Sequence, residues 1–180
     1  MHPPLKIKND YLNVLLDIAS ERTRDRGSRV YELELGVSIR ELRVLRSIAV
    51  KPGISIGEVV QACAIEKTLV SKHVSALVER DLVRRSVGDA DARQIRLHLT
   101  PAGIELVQAA EPIGQEMEAR FLDCLSVADV DNLRRILLRL IQAEAGSRDI
   151  FEFMLARLKE SKAAPDSSPA SAPASKSRKK

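Results

Sequence analysis

The sequence predicts a mainly α-helical protein with one small β-hairpin, and three observations carry that prediction. Two Ser-x-x-Glu capping boxes, Ser38-Ile-Arg-Glu41 and Ser55-Ile-Gly-Glu58, open two short helices joined by a tight corner. A third amphipathic segment, 66–80, follows at once. Beyond it, two apolar runs, Leu82–Val87 and Ile95–Leu99, flank Gly88-Asp89-Ala90-Asp91, which has the composition of a turn. With 180 residues the chain can form one small domain and a set of scaffolding helices.

Composition narrows the class. A chain that is 44% hydrophobic and 30% charged can bury a core and is not expected to be disordered as a whole. Aromatics are only 3% and Trp is absent, which excludes a broad aromatic platform for stacking unpaired bases. The net charge of +4 permits a polyanionic partner, so its distribution must decide. Cys63 and Cys124 form no C-x-x-C and no disulfide framework, as suits a reducing compartment. Asn13 and Asp17 interrupt the best apolar run near the N-terminus, and no stretch approaches the roughly 18 apolar residues of a membrane helix. A cytoplasmic protein without a membrane partner is expected.

Taken in order, residues 1–8 form a loose arm. Tyr11, Leu12, Leu15, Leu16 and Ala19 then fall on one helical face. One long helix is expected over 9–34, with Gly27 in the charged run ERTRDRGSRV as a candidate break. Ser38 opens a helix carrying Leu42, Val44, Leu45, Ile48 and Ala49, and Lys51-Pro-Gly53 ends it. Ser55 opens another, to about Cys63. In 66–80, Val70, Val74, Leu77 and Val78 share one face, and Thr68, Ser71, Lys72, Ser75 and Glu79 the other. Asp81 sits where a helix-ending glycine is usual and must visit the left-handed region. In the second strand Ile95, Leu97 and Leu99 should point inward, Arg96 and His98 outward.

Thr100-Pro101 is a cap followed by proline at the first helical position, so a helix starts there and runs to about Asp123, kinked at Pro112. Ser126 to Asp129 caps the next, striped with Val130, Leu133, Ile136, Leu137, Leu140 and Ile141. Gly146-Ser147 should restart the chain into a last helix bearing Ile150, Phe151, Met154, Leu155 and Leu158. The low-complexity segment 163–180 should be a disordered basic tail.

A helix-turn-helix followed by a hairpin is one way to place a helix in a DNA groove with a finger beside it. Here the long first helix, Leu42-Arg-Val-Leu45, Thr68-Leu-Val-Ser-Lys72 with Leu77-Val-Glu-Arg80, Asp91-Ala-Arg93 and Leu99-Thr-Pro-Ala-Gly103 together resemble the MarR family of bacterial transcription regulators. The resemblance spans roughly 9–145, with Asp81 in place of a usual glycine and Leu42 where an aromatic is common. It implies a winged helix-turn-helix, 36–99, that binds double-stranded DNA, and a helical dimerisation region, 9–35 with 100–162.

The residues agree with that implication. Lys72, Thr68, Ser71 and Ser75 project from the polar face and suit base edges and phosphates, and Lys67 lies near the helix N-terminus. Arg93, steadied by Asp91, suits a narrow minor groove, whereas Arg84, Arg85 and Arg96 suit phosphates. By count, 36–99 holds eleven Lys/Arg against seven Asp/Glu, so it carries the whole net charge of +4.

Apolar faces at 9–34, 101–123, 127–145 and 148–160 exceed what so small a domain can cover, and a two-fold homodimer would bury them. The family resemblance implies a small-molecule effector between the two regions, near Tyr11, Tyr31, Leu42 and Arg46, where arginine suits an anionic, including an aromatic, compound. The plainer alternative is that these four are core residues and an ion pair. Cys63 could sense redox state, although a buried small hydrophobe explains each cysteine more simply. His73 and His98 have no acidic cluster around them, so no metal and no cofactor is expected. No nucleophile with its base, phosphate loop or carboxylate pair is present, which argues against an enzyme. The rival from another class is a non-specific winged-helix module binding DNA or protein.

Overall fold

The computed structural model describes residues 7–87 and 94–163, except the side chains of 144–151 and 161–163. The elements are α1 (Leu12–Leu35), α2 (Ile39–Val50), β1 (Ile54–Ser55), α3 (Ile56–Cys63), α4 (Lys67–Glu79), β2 (Val83–Val87), β3 (Ile95–Leu99), α5 (Pro101–Leu122) and α6 (Val127–Ala163). They divide into two units, Met1–Cys124 and Leu125–Lys180.

In the first unit α2 is the centre, packing against α1, α3, α4, α5 and β3. Leu42, Val44, Leu45 and Ile48 place apolar side chains on most of its circumference, and all four are 0% exposed. Val59 and Cys63 of α3, Val70, Val74 and Leu77 of α4, and Leu97 of β3 close the core around them. At roughly 1.5–3 kcal/mol for each fully buried aliphatic chain, this cluster is the main cohesive term.

Both capping boxes form. Ser38 Oγ accepts from the Glu41 amide at 3.2 Å while Glu41 Oε2 accepts from the Ser38 amide at 2.8 Å. Ser55 and Glu58 repeat the pair at 3.3 and 2.8 Å. Asp81 ends the α4 corner at φ 55°, in the left-handed region expected of it.

Four expectations need correction. The hairpin is the larger part of a three-stranded antiparallel sheet, order β1-β3-β2, because Ile54 and Ser55 pair with Leu97 and Arg96. Gly53, at φ +81°, turns the chain so that its amide donates to Leu97 O at 2.8 Å. Ile95 is 45% exposed; it pairs with Val87, itself 65% exposed, at the end of the ladder that no helix covers. Gly27 does not break α1: it is buried, and a Cβ there would stand 3.3 Å from Ile39 Cδ1, so glycine admits α2 rather than ending α1. The two last helices are one, because α6 runs unbroken for 37 residues through Gly146-Ser147. A helix-interior glycine costs only about 1 kcal/mol and keeps its N–H.

α5 continues through Pro112, whose missing N–H leaves the Gln108 carbonyl without its helical donor. In the second unit, Ser126 Oγ accepts from the Asp129 amide at 3.2 Å to start α6. Its stripe leaves Ile136, Leu140, Ile141, Phe153 and Met154 exposed.

The tightest joint lies between the α4–β2 corner and the start of α5. Thr100 Oγ1 donates to Asp81 O at 2.6 Å and accepts from the Gly103 amide at 3.1 Å, and the Thr100 amide donates to Leu82 O at 3.2 Å. A Cβ on Gly103 would come within 2.1 Å of Leu82 O, so backbone meets backbone and nothing can give. Gly103→Ala is therefore expected to lower stability by about 3 kcal/mol or more, measured as a shift of the urea midpoint. A loss below about 1 kcal/mol would show that this joint can relax.

A second network ties β1, α3 and β3. Glu58 accepts from Lys51 Nζ at 2.6 Å and from the Ser55 hydroxyl at 2.7 Å, with Arg96 at 3.8 Å. The hydrogen bond from Lys51, then those from the Ser55 backbone and hydroxyl, lower its pKa from 4.5 to about 2. The folded pKa lies below the unfolded one, so the stability is fully present above pH 4.5 and is lost as pH falls toward 2. The stability gap between wild type and Glu58→Gln should accordingly shrink across that window in urea titrations at stepped pH. A gap constant in pH would contradict the assignment.

Candidate nucleic-acid interface

α4 has a buried face and a presented one. Val70, Val74 and Leu77 are each 0% exposed. About 100° per residue then turns Lys67, Thr68 and Lys72 to solvent, with Ser71 and Ser75 half-buried at the edges. A 13-residue helix is about 20 Å long and narrow enough for a DNA major groove about 12 Å wide.

The start of α4 carries an acidic cap: Glu66 Oε1 accepts from the Thr68 amide at 3.4 Å. The backbone donors beside Lys67 are thus partly engaged by a carboxylate. Of the three arginines on the sheet, Arg84 is exposed on β2. Arg85 is exposed too, and donates to Ser75 Oγ at 2.9 Å, which joins β2 to α4. Arg96 is turned into the sheet, donating to Gly53 O at 3.2 Å and Gln94 Oε1 at 2.9 Å. It braces the first strand and does not stand beside Arg84. Asp91 and Arg93 lie outside the described residues, in the segment bracketed by Val87 and Ile95.

Of the residues expected near an effector, Tyr31 and Arg46 are brought together. A Cβ on Gly114 of α5 would sit 2.8 Å from Tyr31 Oη and 3.0 Å from an Arg46 guanidinium nitrogen. Arg46 also forms an ion pair with Glu111 at 2.9 Å. Tyr31 is 2% and Leu42 0% exposed, so both serve the core. Tyr11 is the N-cap residue of α1, about 30 Å along the helix from Tyr31. It is 54% exposed, with Lys8 Nζ 5.2 Å from its ring centre.

Cys63 is buried, its sulfur 2.9 Å from Ser47 Oγ, whereas Cys124 is exposed. Burial lowers the His73 pKa, against the pull of Glu41 and helped by Arg40 and Lys72, and its Nε2 is buried with no hydrogen-bond partner. His98 Nε2 lies 3.1 Å from Ser86 Oγ. Among the described residues no group of three or more His, Cys, Asp or Glu is placed to hold a metal, and no helix is long and apolar enough to cross a membrane.

One feature is not foreshadowed by any motif. A recess of about 170 Å³ opens between α1, α2 and the α3–α4 corner, walled by Arg24, Arg40, Arg43 and Glu66 over Ile39, Ile65 and Leu69. Arg40 and Arg43 share a helix face at i, i+3, a pattern visible in the sequence. Arg24 joins them only through the packing of α1 on α2.

The MarR family model matches residues 35–94. The transcriptional regulator HosA of Escherichia coli O111:H- is 31% identical over 100 residues, covering 56% of this chain and 74% of HosA. A putative transcriptional regulatory protein for the hcr operon of Thauera aromatica is 28% identical over 102 residues, 57% of this chain and 61% of that protein. Among solved structures, BpsR of Bordetella bronchiseptica superposes with a TM-score of 0.68 at 22% identity, covering 76% of this chain and 97% of BpsR. A cysteine-to-serine mutant of E. coli MarR complexed with operator DNA gives 0.65 at 20% identity, covering 72% and 92%. The sequence motifs, the winged helix around α2 and the likeness to HosA converge: the chain belongs to the MarR family of transcriptional regulators.

Proposed function

We propose that this regulator is a homodimeric repressor that binds a palindromic operator and is released by a small anionic effector. The observation that carries the reading is the presented face of α4, where Lys67, Thr68, Ser71 and Lys72 stand opposite a fully buried apolar face and beside Arg84 and Arg85. Cationic side chains flanking short hydroxyl residues suit close approach to a duplex, the arginines binding backbone and α4 reading bases. Similarly folded proteins have been solved with DNA, among them E. coli MarR and S. aureus MepR.

In this reading 36–99 is the DNA-binding domain, and 9–35 with 100–162 the dimerisation region. Exposed Leu12, Leu15 and Ile18 on α1, with Ile136, Leu140 and Ile141 on α6, are apolar surface that a second copy would cover. The effector is supported by BpsR, whose DNA binding is regulated by 6-hydroxynicotinic acid. The site of action is the cytoplasm, where the operator is.

A gel shift with the protein's own upstream region should show at least a ~10³ preference over scrambled competitor; equal competition would sink the repressor reading. Lys72→Ala and Arg93→Ala should each weaken specific binding by about 1–3 kcal/mol, and wild-type affinity in both would refute their roles.

A further inference from the structure

We propose that the recess between α1, α2 and the start of α4 binds a small organic anion, a carboxylate carried on a flat apolar body. The proposal deepens the effector reading and rests on it for its regulatory consequence, though not for binding itself. The recess combines two chemistries. Three guanidinium groups, Arg24, Arg40 and Arg43, face a single carboxylate, that of Glu66. Its floor is apolar, made by Ile39, Ile65 and Leu69.

The arginine on α1 is the sharpest pointer to an absent partner. Its Nε is buried and makes no hydrogen bond, although its terminal nitrogen pairs with Glu21 one turn away. A buried cationic donor left unpaired is unfavourable, and a carboxylate would satisfy it with a charge-assisted bond. Arg43 is held in place by donating to Cys63 O at 3.2 Å, so it needs little ordering on binding. The volume of about 170 Å³ compares with a cavity of roughly 150 Å³ that accommodates benzene. An aromatic acid fits; a nucleotide does not.

A duplex phosphate is the competing occupant, and the burial of Arg24, whose side chain is only 26% exposed, disfavours it. A duplex meets protruding side chains, not a recessed one over a greasy floor. The region around Tyr31, Leu42 and Arg46 is already filled by the contact of α5 at Gly114, which leaves this recess as the open space beside α4. A ligand here would touch α1, α2 and, through Glu66 and Leu69, the first turn of α4 at once. Its binding energy would therefore bear on the angle at which α4 is presented.

Calorimetry on the full chain with benzoate, benzamide and inorganic phosphate tests the proposal. Benzoate should bind saturably below about 10 mM, and neutral benzamide and phosphate at least roughly tenfold more weakly. In the double variant Arg24→Gln/Arg40→Gln the benzoate affinity should fall at least roughly tenfold, while Arg46→Gln leaves it unchanged. Absence of benzoate binding, equal binding of benzamide or phosphate, or full affinity in the double variant would each overturn it. So would a double variant that loses DNA affinity but keeps benzoate, which would mark a duplex contact. Because the comparison with benzamide uses only wild-type protein, a variant that fails to fold does not blunt the test. Operator preference without benzoate binding would sink this site and leave the repressor reading; benzoate binding without operator preference would do the reverse.

Discussion

The burial of nearly the whole circumference of α2 is the constraint on which the first unit depends. Its four completely buried aliphatic residues touch five other elements, so each neighbour is positioned by reference to one rigid helix. Close-packed interiors transmit displacement instead of absorbing it. A change at Leu45 or Ile48 would therefore reach α3, α4 and β3 together. The presented face of α4 has its orientation because Val70, Val74 and Leu77 have nowhere else to go.

Around that centre the polar groups hold the corners. Ser38–Glu41 and Ser55–Glu58 fix where α2 and α3 begin, and Thr100 fixes where α5 leaves the sheet. The last junction is the least forgiving, since Gly103 lies directly on the Leu82 carbonyl. It joins α5 to the strand that follows α4, so α5 is coupled through backbone to the same corner that ends the presented helix. A change in α5 has a short mechanical path to the hairpin.

The arginines separate into those that brace and those that remain available. Arg96 and Arg46 are spent on Gly53, Glu58 and Glu111. Arg84 is presented, and Arg85 is shared between its strand and Ser75. Charge counting alone treats these residues as equal, yet a guanidinium already paired with a carboxylate offers less to a phosphate than an exposed one. The net positive charge of 36–99 thus overstates what α4 and β2 can direct outward.

The sequence by itself determined whatever depends on neighbours a few residues apart. The two capping boxes, the apolar face of α4, the left-handed Asp81 and the Thr100-Pro101 helix start all follow from local hydrogen bonding and period, and all are present. Tertiary structure decided the rest. The two-residue strand at Ile54 is too short to show periodicity and exists only because Leu97 offers it a ladder. Gly27 resembles a helix breaker in one dimension and is a packing notch in three, because Ile39 arrives from another helix. The recess of Arg24, Arg40 and Arg43 was illegible for the same reason: a run of charges near Gly27 has the composition of a solvated face until α2 folds over it. Local pattern specifies which elements form; only the close approach of distant segments decides which side chains are left to meet a partner.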